Sequence, residues 1–246
     1  MEHPLDVVQD EHVPWTLAVV EVFGPTIQGE GPAAGRLAWF VRLGGCNLSC
    51  SWCDTPYTWD RTRYSMREQI KAMAVDEIVD GIPPRSLVVI TGGEPLLQQD
   101  RAGWRELLSV LRARACEIHV ETNGTIAPNA ASQAVVQLWA VSPKLPNAGT
   151  HKTHQDPALH RGWRPAVLRG DAHLKVVCAD ASDVARARVL AAHHAWPVRQ
   201  VWVMPEGTSP EALAASWPEV AEAAAVHGVN ASHRLHVLAW GDERGH

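Results

Sequence analysis

The chain has 246 residues, 46% of them hydrophobic, enough to bury the core of a sizeable α/β domain and to exclude disorder as its main state. Net charge is −5, and the 22 basic residues are scattered without forming a run, so the composition argues against nucleic acid as a ligand. No apolar run approaches the roughly eighteen residues of a membrane span, and residues 1–11 are acidic and polar, a pattern that predicts a soluble, cytoplasmic protein with no membrane partner.

In chain order, apolar strand candidates fall at 17–23, 37–43, 87–91, 116–121, 138–142, 173–177, 201–204 and 235–239. Amphipathic stretches at 65–79, 102–113, 181–194 and 210–227 separate several of them, and Ser65 with Glu68 three residues on reads as a capping box. This alternation predicts βα units on a mainly parallel sheet, read as a single domain over 1–246. The weakly patterned stretch 143–170 reads as a functional loop carrying one helix.

Ligands of parallel α/β sheets lie at the C-terminal strand ends. Four motifs stand there: Thr91-Gly92-Gly93-Glu94-Pro95, Glu121-Thr122-Asn123-Gly124, Ser142-Pro143-Lys144 and Met204-Pro205-Glu206-Gly207. One shared pocket would explain all four. Lysines are few, at Lys71, Lys144, Lys152 and Lys175. A compact point charge is therefore one reading of both Lys144 and Lys175, and a surface charge at a strand end is the other, favoured for Lys175 and not for Lys144.

Five cysteines, an odd number, do not make a disulfide framework. Cys116 and Cys178 sit in apolar runs and read as buried packing. The other three, Cys46, Cys50 and Cys53, are spaced C-x3-C-x2-C after Gly44-Gly45. A structural zinc site wants four ligands, usually as two pairs, and no second pair is present. An iron–sulfur cube held by three thiolates keeps one iron open to an exogenous ligand.

This motif resembles the signature of the radical S-adenosylmethionine (SAM) superfamily. The resemblance implies an incomplete (β/α) barrel, a [4Fe–4S] cluster on Cys46, Cys50 and Cys53, and SAM chelated to the open iron. It implies Trp52 beside the adenine, or else simply covering core, with Cys53 and Asp54 next to the cofactor. Gly92, Gly93 and Glu94 look like the motif for the methionyl amino group, although alone they would also make an ordinary turn. Ser142, Pro143 and Lys144, with Met204, Pro205, Glu206 and Gly207, complete the cofactor-binding set.

A closer resemblance runs from Phe23-Gly24-Pro25-Thr26-Ile27-Gln28-Gly29-Glu30-Gly31 through Phe40-Val41-Arg42 and Asp54-Thr55 to Leu235-His236-Val237-Leu238-Ala239-Trp240-Gly241. It is to the 7-carboxy-7-deazaguanine synthases. It implies a lyase acting on 6-carboxy-5,6,7,8-tetrahydropterin with loss of ammonia, in 7-deazapurine biosynthesis of the queuosine type. Substrate contacts would come from Ile27, Gln28, Gly29, Glu30, Arg42, Thr91 and His236, with a fold salt bridge the other reading of Arg42 and a core histidine that of His236. Thr55 would ligate Mg²⁺. A homodimer and a flavodoxin- or ferredoxin-type electron donor are implied. A glycyl-radical activating enzyme or a non-catalytic iron–sulfur carrier are the competing functions.

Overall fold

The computed structural model describes residues 15–151 and 158–246. Its strands are β1 (Thr16–Ile27), β2 (Leu37–Leu43), β3 (Lys71–Ala74), β4 (Leu87–Gly92), β5 (Glu117–Thr122), β6 (Leu138–Val141), β7 (Ala172–Cys178), β8 (Val201–Pro205) and β9 (Asn230–Ala231). Its helices are α1 (Met66–Gln69), α2 (Val75–Val79), α3 (Ala102–Ala113), α4 (Ala130–Gln133), α5 (Arg164–Arg169), α6 (Ala181–His193), α7 (Pro210–His227) and α8 (Leu235–Trp240). Among the described residues the strands form one nine-stranded sheet in the order β3-β1-β2-β4-β5-β6-β7-β8-β9. β1 is antiparallel to β2 and β3, and each later neighbour pair is parallel. The sheet is an open arc ending at β3 and β9 rather than a closed barrel.

Strand residues alternate between two environments, as a period of two requires. Val88 and Ile90, Ile118 and Val120, Trp139 and Val141, Leu174 and Val176, and Val201 and Val203 all belong to the main hydrophobic core. The helices supply the other half of that core. α3 contributes Trp104, Leu107, Leu108 and Leu111 at helical spacing, and α6 contributes Val184, Ala187 and Ala191. The opposite strand face carries Arg42, Thr91, Glu121, Lys175 and Met204, and these line an interior cavity. An apolar outside packed on helices thus forces the polar residues of the same strands inward.

Two predicted elements differ. The stretch 65–79 is not one helix: Lys71–Ala74 pairs antiparallel with Thr16, Leu17, Ala18 and Val19, giving β1 an edge partner and splitting the pattern into α1, β3 and α2. Ser65 stands at the start of α1, yet its side chain makes no capping bond; its carbonyl instead accepts from the Glu68 and Gln69 N–H groups. The run 235–239 is helical, not a strand, because only Val237 of α8 is buried while Leu235 and Leu238 face outward. Stretch 143–170 contains α5, as expected of its one helix; residues 152–157, Lys152 among them, lie outside the described residues.

Candidate active site

All four strand-end motifs open onto one cavity of about 760 Å³. It is lined by Cys46, Cys50, Trp52, Cys53, Asp54 and Thr55 from the cysteine loop, Ile27, Gln28, Gly29 and Glu30 from the β1–β2 connection, and Arg42, Thr91, Gly92 and Gly93. Ser142, Lys144, Met204, Glu206, Gly207 and His236 complete the predicted residues on its wall. Glu94, Pro143 and Pro205 do not line it.

The cysteine loop is seated on backbone. Gly44 N–H donates to Ala18 O at 2.9 Å, Gly45 N–H to Thr58 O at 2.8 Å, and Glu94 N–H returns to Gly45 O at 2.8 Å. The missing Cβ atoms of the Gly-Gly-Glu motif serve this contact: a Cβ on Gly92, at φ +146°, would meet Leu43 O at 2.2 Å, and one on Gly93 would meet Gly45 O at 2.2 Å. The glycines therefore let the strand end and the cysteine loop touch main chain to main chain.

All five cysteines are free, and the three in the loop share the cavity. Burial pushes the Cys46 thiol up to about 12 and raises Cys50 and Cys53 as well. A thiolate is disfavoured there unless a bound cation offsets its charge, the situation of a metal-ligating thiol. Leu48 N–H donates to Cys46 Sγ and Trp59 Nε1–H to Cys53 Sγ, each at 3.4 Å, which are the sulfur hydrogen bonds that tune an iron–sulfur cluster. Three thiols on one loop of the cavity fall one short of the four ligands that a structural zinc takes. The donor set fits the cube.

Beside the sulfurs, Lys144 Nζ donates to Ser142 Oγ at 2.9 Å and stands 5.2 Å from the centre of the Trp52 ring. The Trp52 indole N–H is buried without a protein partner. Glu94 is fully buried behind this wall, where it accepts from the Leu96 and Asn123 N–H groups and from Thr122 Oγ1. Burial nonetheless raises its carboxyl to about 7. Its place is to tie the β4 and β5 loops together.

The same cavity is lined by a buried ion network. Lys175 Nζ donates to Glu30 Oε2 and Glu121 Oε1, each at 2.7 Å, and Arg234 Nε donates to Glu30 Oε1 at 2.8 Å. Burial opposes the Glu30 charge, but Lys175, Arg234 and His236 together hold its carboxyl well below the usual range. Glu121 accepts in addition from Thr91 Oγ1 at 2.9 Å and Gln28 Nε2 at 3.2 Å. Arg42 gives its Nε–H to Glu21 at 2.6 Å, so the fold salt bridge is real; Glu21 also accepts from Tyr57 and Arg244. His236 lies on α8, its Nε2 3.7 Å from Glu30 Oε1 and its ring over Gly29, where a Cβ would come within 2.0 Å of Nδ1.

A family profile described as the radical SAM superfamily matches residues 40–135. The 7-carboxy-7-deazaguanine synthase of Pyrobaculum aerophilum is 37% identical over 233 residues, covering 92% of this chain and 96% of its own. The chain belongs to the 7-carboxy-7-deazaguanine synthase family. The Bacillus subtilis 7-carboxy-7-deazaguanine synthase is 31% identical over 252 residues, 93% and 98% of the two chains. The crystal structure of QueE from Escherichia coli shares the fold, with a TM-score of 0.62 at 23% identity over 89% of this chain and 93% of that one. Membership makes the chain a radical SAM enzyme and implies the [4Fe–4S] cluster and SAM, and it does not favour the activating-enzyme or carrier readings.

Three features of this synthase-family site escaped sequence reasoning. Lys175 is buried between two carboxylates rather than exposed at a strand end. The signal was its register: with Leu174 and Val176 both facing helices, Lys175 had to point inward. Glu121 was noticed only as part of a strand-end motif, and Arg234, in a segment without periodic pattern, gave no signal at all.

Proposed function

We infer that the chain converts 6-carboxy-5,6,7,8-tetrahydropterin to 7-carboxy-7-deazaguanine with release of ammonia, for 7-deazapurine biosynthesis of the queuosine type. The observation that carries this reading is one cavity with three cysteine sulfurs on one wall and a buried Glu30–Lys175–Glu121 ion network on the other. When bound, the cluster and SAM would supply the one-electron chemistry that the reaction needs. The protein's part is to hold, orient and exclude water.

Cys46, Cys50 and Cys53 hold the cluster. Gly92 and Gly93 would hold the SAM amino group, Ser142 and Lys144 its ribose and carboxylate, and Trp52 its adenine, all from the wall of the same cavity. Asp54, Met204, Glu206 and Gly207 frame the same space, while Glu94, Pro143 and Pro205 act from behind it. On the other wall Glu30 accepts from the ring N–H groups of the pterin; each carboxylate oxygen has two lone pairs, so Lys175 and Arg234 leave acceptor capacity. Gln28, Ile27, Gly29 and Thr91 meet the pterin edge. Arg42 has its Nε on Glu21, which directs its terminal nitrogens to the substrate carboxylate as a two-pronged donor, with His236 alongside.

Thr55 presents a hydroxyl to the cavity beside Asp54, a hard oxygen donor suited to Mg²⁺ that keeps most of its waters, and the ion would act as a Lewis acid. Residues 1–246 act as one radical SAM domain, supported by the single continuous sheet among the described residues. Among the described residues β3 and β9 are the edges of the sheet, which supports a homodimer. A flavodoxin- or ferredoxin-type protein supplies the electron, and free thiols holding an oxidisable cluster suit the cytoplasm. No helix among the described residues is long and apolar enough to cross a membrane.

The test is anaerobic reconstitution with SAM, dithionite, Mg²⁺ and the carboxy-tetrahydropterin, followed by mass spectrometry. The deazaguanine acid with matching 5′-deoxyadenosine is the expected result. Deoxyadenosine formed without the acid would refute the assigned substrate.

A further inference from the structure

Glu30, assigned to the pterin, and Asp54 and Gly207, assigned to the space of the cluster and SAM, lie on three separate loops, and Arg234 touches all three. Its Nε donates to Glu30 Oε1 at 2.8 Å, its Nη2 to Asp54 Oδ2 at 2.5 Å, and its Nη1 to the Gly207 carbonyl at 2.5 Å. Glu30 belongs to the β1–β2 connection on the substrate wall. Asp54 lies between the cluster ligand Cys53 and Thr55, and Gly207 lies in the loop after β8.

The arginine is itself fixed to the substrate side. Its segment is zipped along the β1–β2 connection: Gly31 N–H donates to Ser232 Oγ at 2.8 Å and Leu235 N–H to Gly29 O at 3.0 Å. Any movement of Glu30 is thereby passed to Arg234, and from its other two prongs to the loops on the cofactor wall. Only a planar fork with several fixed N–H groups serves three acceptors in different directions; an ammonium on a flexible stem does not. Coupling between two sites needs contacts that differ between their states, and a substrate donating to the Glu30 oxygens changes the charge that this guanidinium shares with Asp54.

We propose that Arg234 is a positioning residue that couples occupancy of the pterin site to the geometry of the cluster loop, so that SAM cleavage is spent on product. The proposal rests on the function inferred above. Its signature is uncoupling, in which 5′-deoxyadenosine accumulates without the deazaguanine acid, and a residue that merely supports the fold would lower both together.

The experiment compares wild-type holoenzyme with Arg234→Gln, Arg234→Lys, Asp54→Asn and the Arg234→Gln/Asp54→Asn double variant. Iron and sulfide content, equilibrium binding of the carboxy-tetrahydropterin without reductant, and the ratio of deoxyadenosine to acid are measured. Iron at the wild-type level, weaker pterin binding and a ratio raised about tenfold in Arg234→Gln, with lysine intermediate and the double variant no worse than Arg234→Gln alone, is the expected result. An unchanged ratio, or effects in the double variant that simply multiply, would overturn it. Should Arg234→Gln lose its iron, Asp54→Asn decides: a raised ratio upholds the coupling and an unchanged one overturns it. Wild-type enzyme that fails to bind the pterin would overturn the assigned substrate and the coupling with it, whereas a normal wild type with unaltered variants overturns the coupling alone.

Discussion

Lys175 and Glu30, 145 residues apart in the chain, meet at 2.7 Å inside the cavity, with the lysine 4% and the glutamate 9% exposed. The same ammonium is 2.7 Å from Glu121. Burial alone would drive the lysine toward its neutral form, but the two carboxylates reverse this and raise its pKa. One cation therefore bridges two carboxylates from opposite parts of the chain.

Lys175→Met leaves two carboxylates facing each other without their shared cation. Breaking a buried pair on one side costs about 3–5 kcal/mol, so urea unfolding should show a loss of that order and pterin binding should fall with it. A variant as stable as wild type that binds the pterin normally would contradict this account of the network.

Cys50→Ala removes one of three sulfur donors, and anaerobically reconstituted protein should then lose its iron and sulfide together with SAM cleavage. Cys178→Ala, altered deep in the core, should keep both. Metal analysis that finds full iron in Cys50→Ala would take that cysteine out of the site.

Gly93→Ala places a Cβ 2.2 Å from Gly45 O, a backbone atom that cannot swing aside. The strand end and the cysteine loop must separate, at about 1–3 kcal/mol of stability and with poorer iron incorporation. Gly81→Ala, with nothing within 4 Å of its new atom, is the control. Equal iron content in the two variants would show that close approach is not what the motif provides.

Glu94 sets a pH dependence of stability. Buried, it keeps its proton up to about 7, while the unfolded chain releases it near 4.5. Between these values the folded state binds more protons, so stability falls as pH rises, with a slope approaching about 1.4 kcal/mol per pH unit for this one group. Glu94→Gln should flatten that part of the curve in urea titrations across the window, and an unaltered slope would assign it to other groups.

Magnesium should raise turnover in metal-free assays, and Thr55→Val should shift that response to higher concentrations without changing iron content. A wild-type rate indifferent to magnesium would remove the ion from the scheme, and an unshifted response in Thr55→Val would remove that residue from its site.

The cysteine loop, the Gly-Gly-Glu turn and the Gln28–Glu30 segment were legible because their chemistry is carried by residue type and short spacing. The parallel core was legible because apolar strands alternate with helical patterns. Other parts depend on partners far along the chain. Residues 71–74 become a strand only because β1 has a free edge there, and 235–239 is too short an apolar run for periodicity to separate helix from strand. Lys175 and Arg234 looked ordinary because ion pairs 145 and 204 residues apart leave no local pattern.

The zipper between residues 29–31 and 232–236 has a bearing on biosynthesis. The cysteine loop rests on strands that are synthesised early, whereas Glu30 on the substrate wall waits for Arg234, which leaves the ribosome 204 residues after it. The cysteine loop can therefore take its shape while the rest of the cavity wall is still open, and that wall closes only when α8 docks.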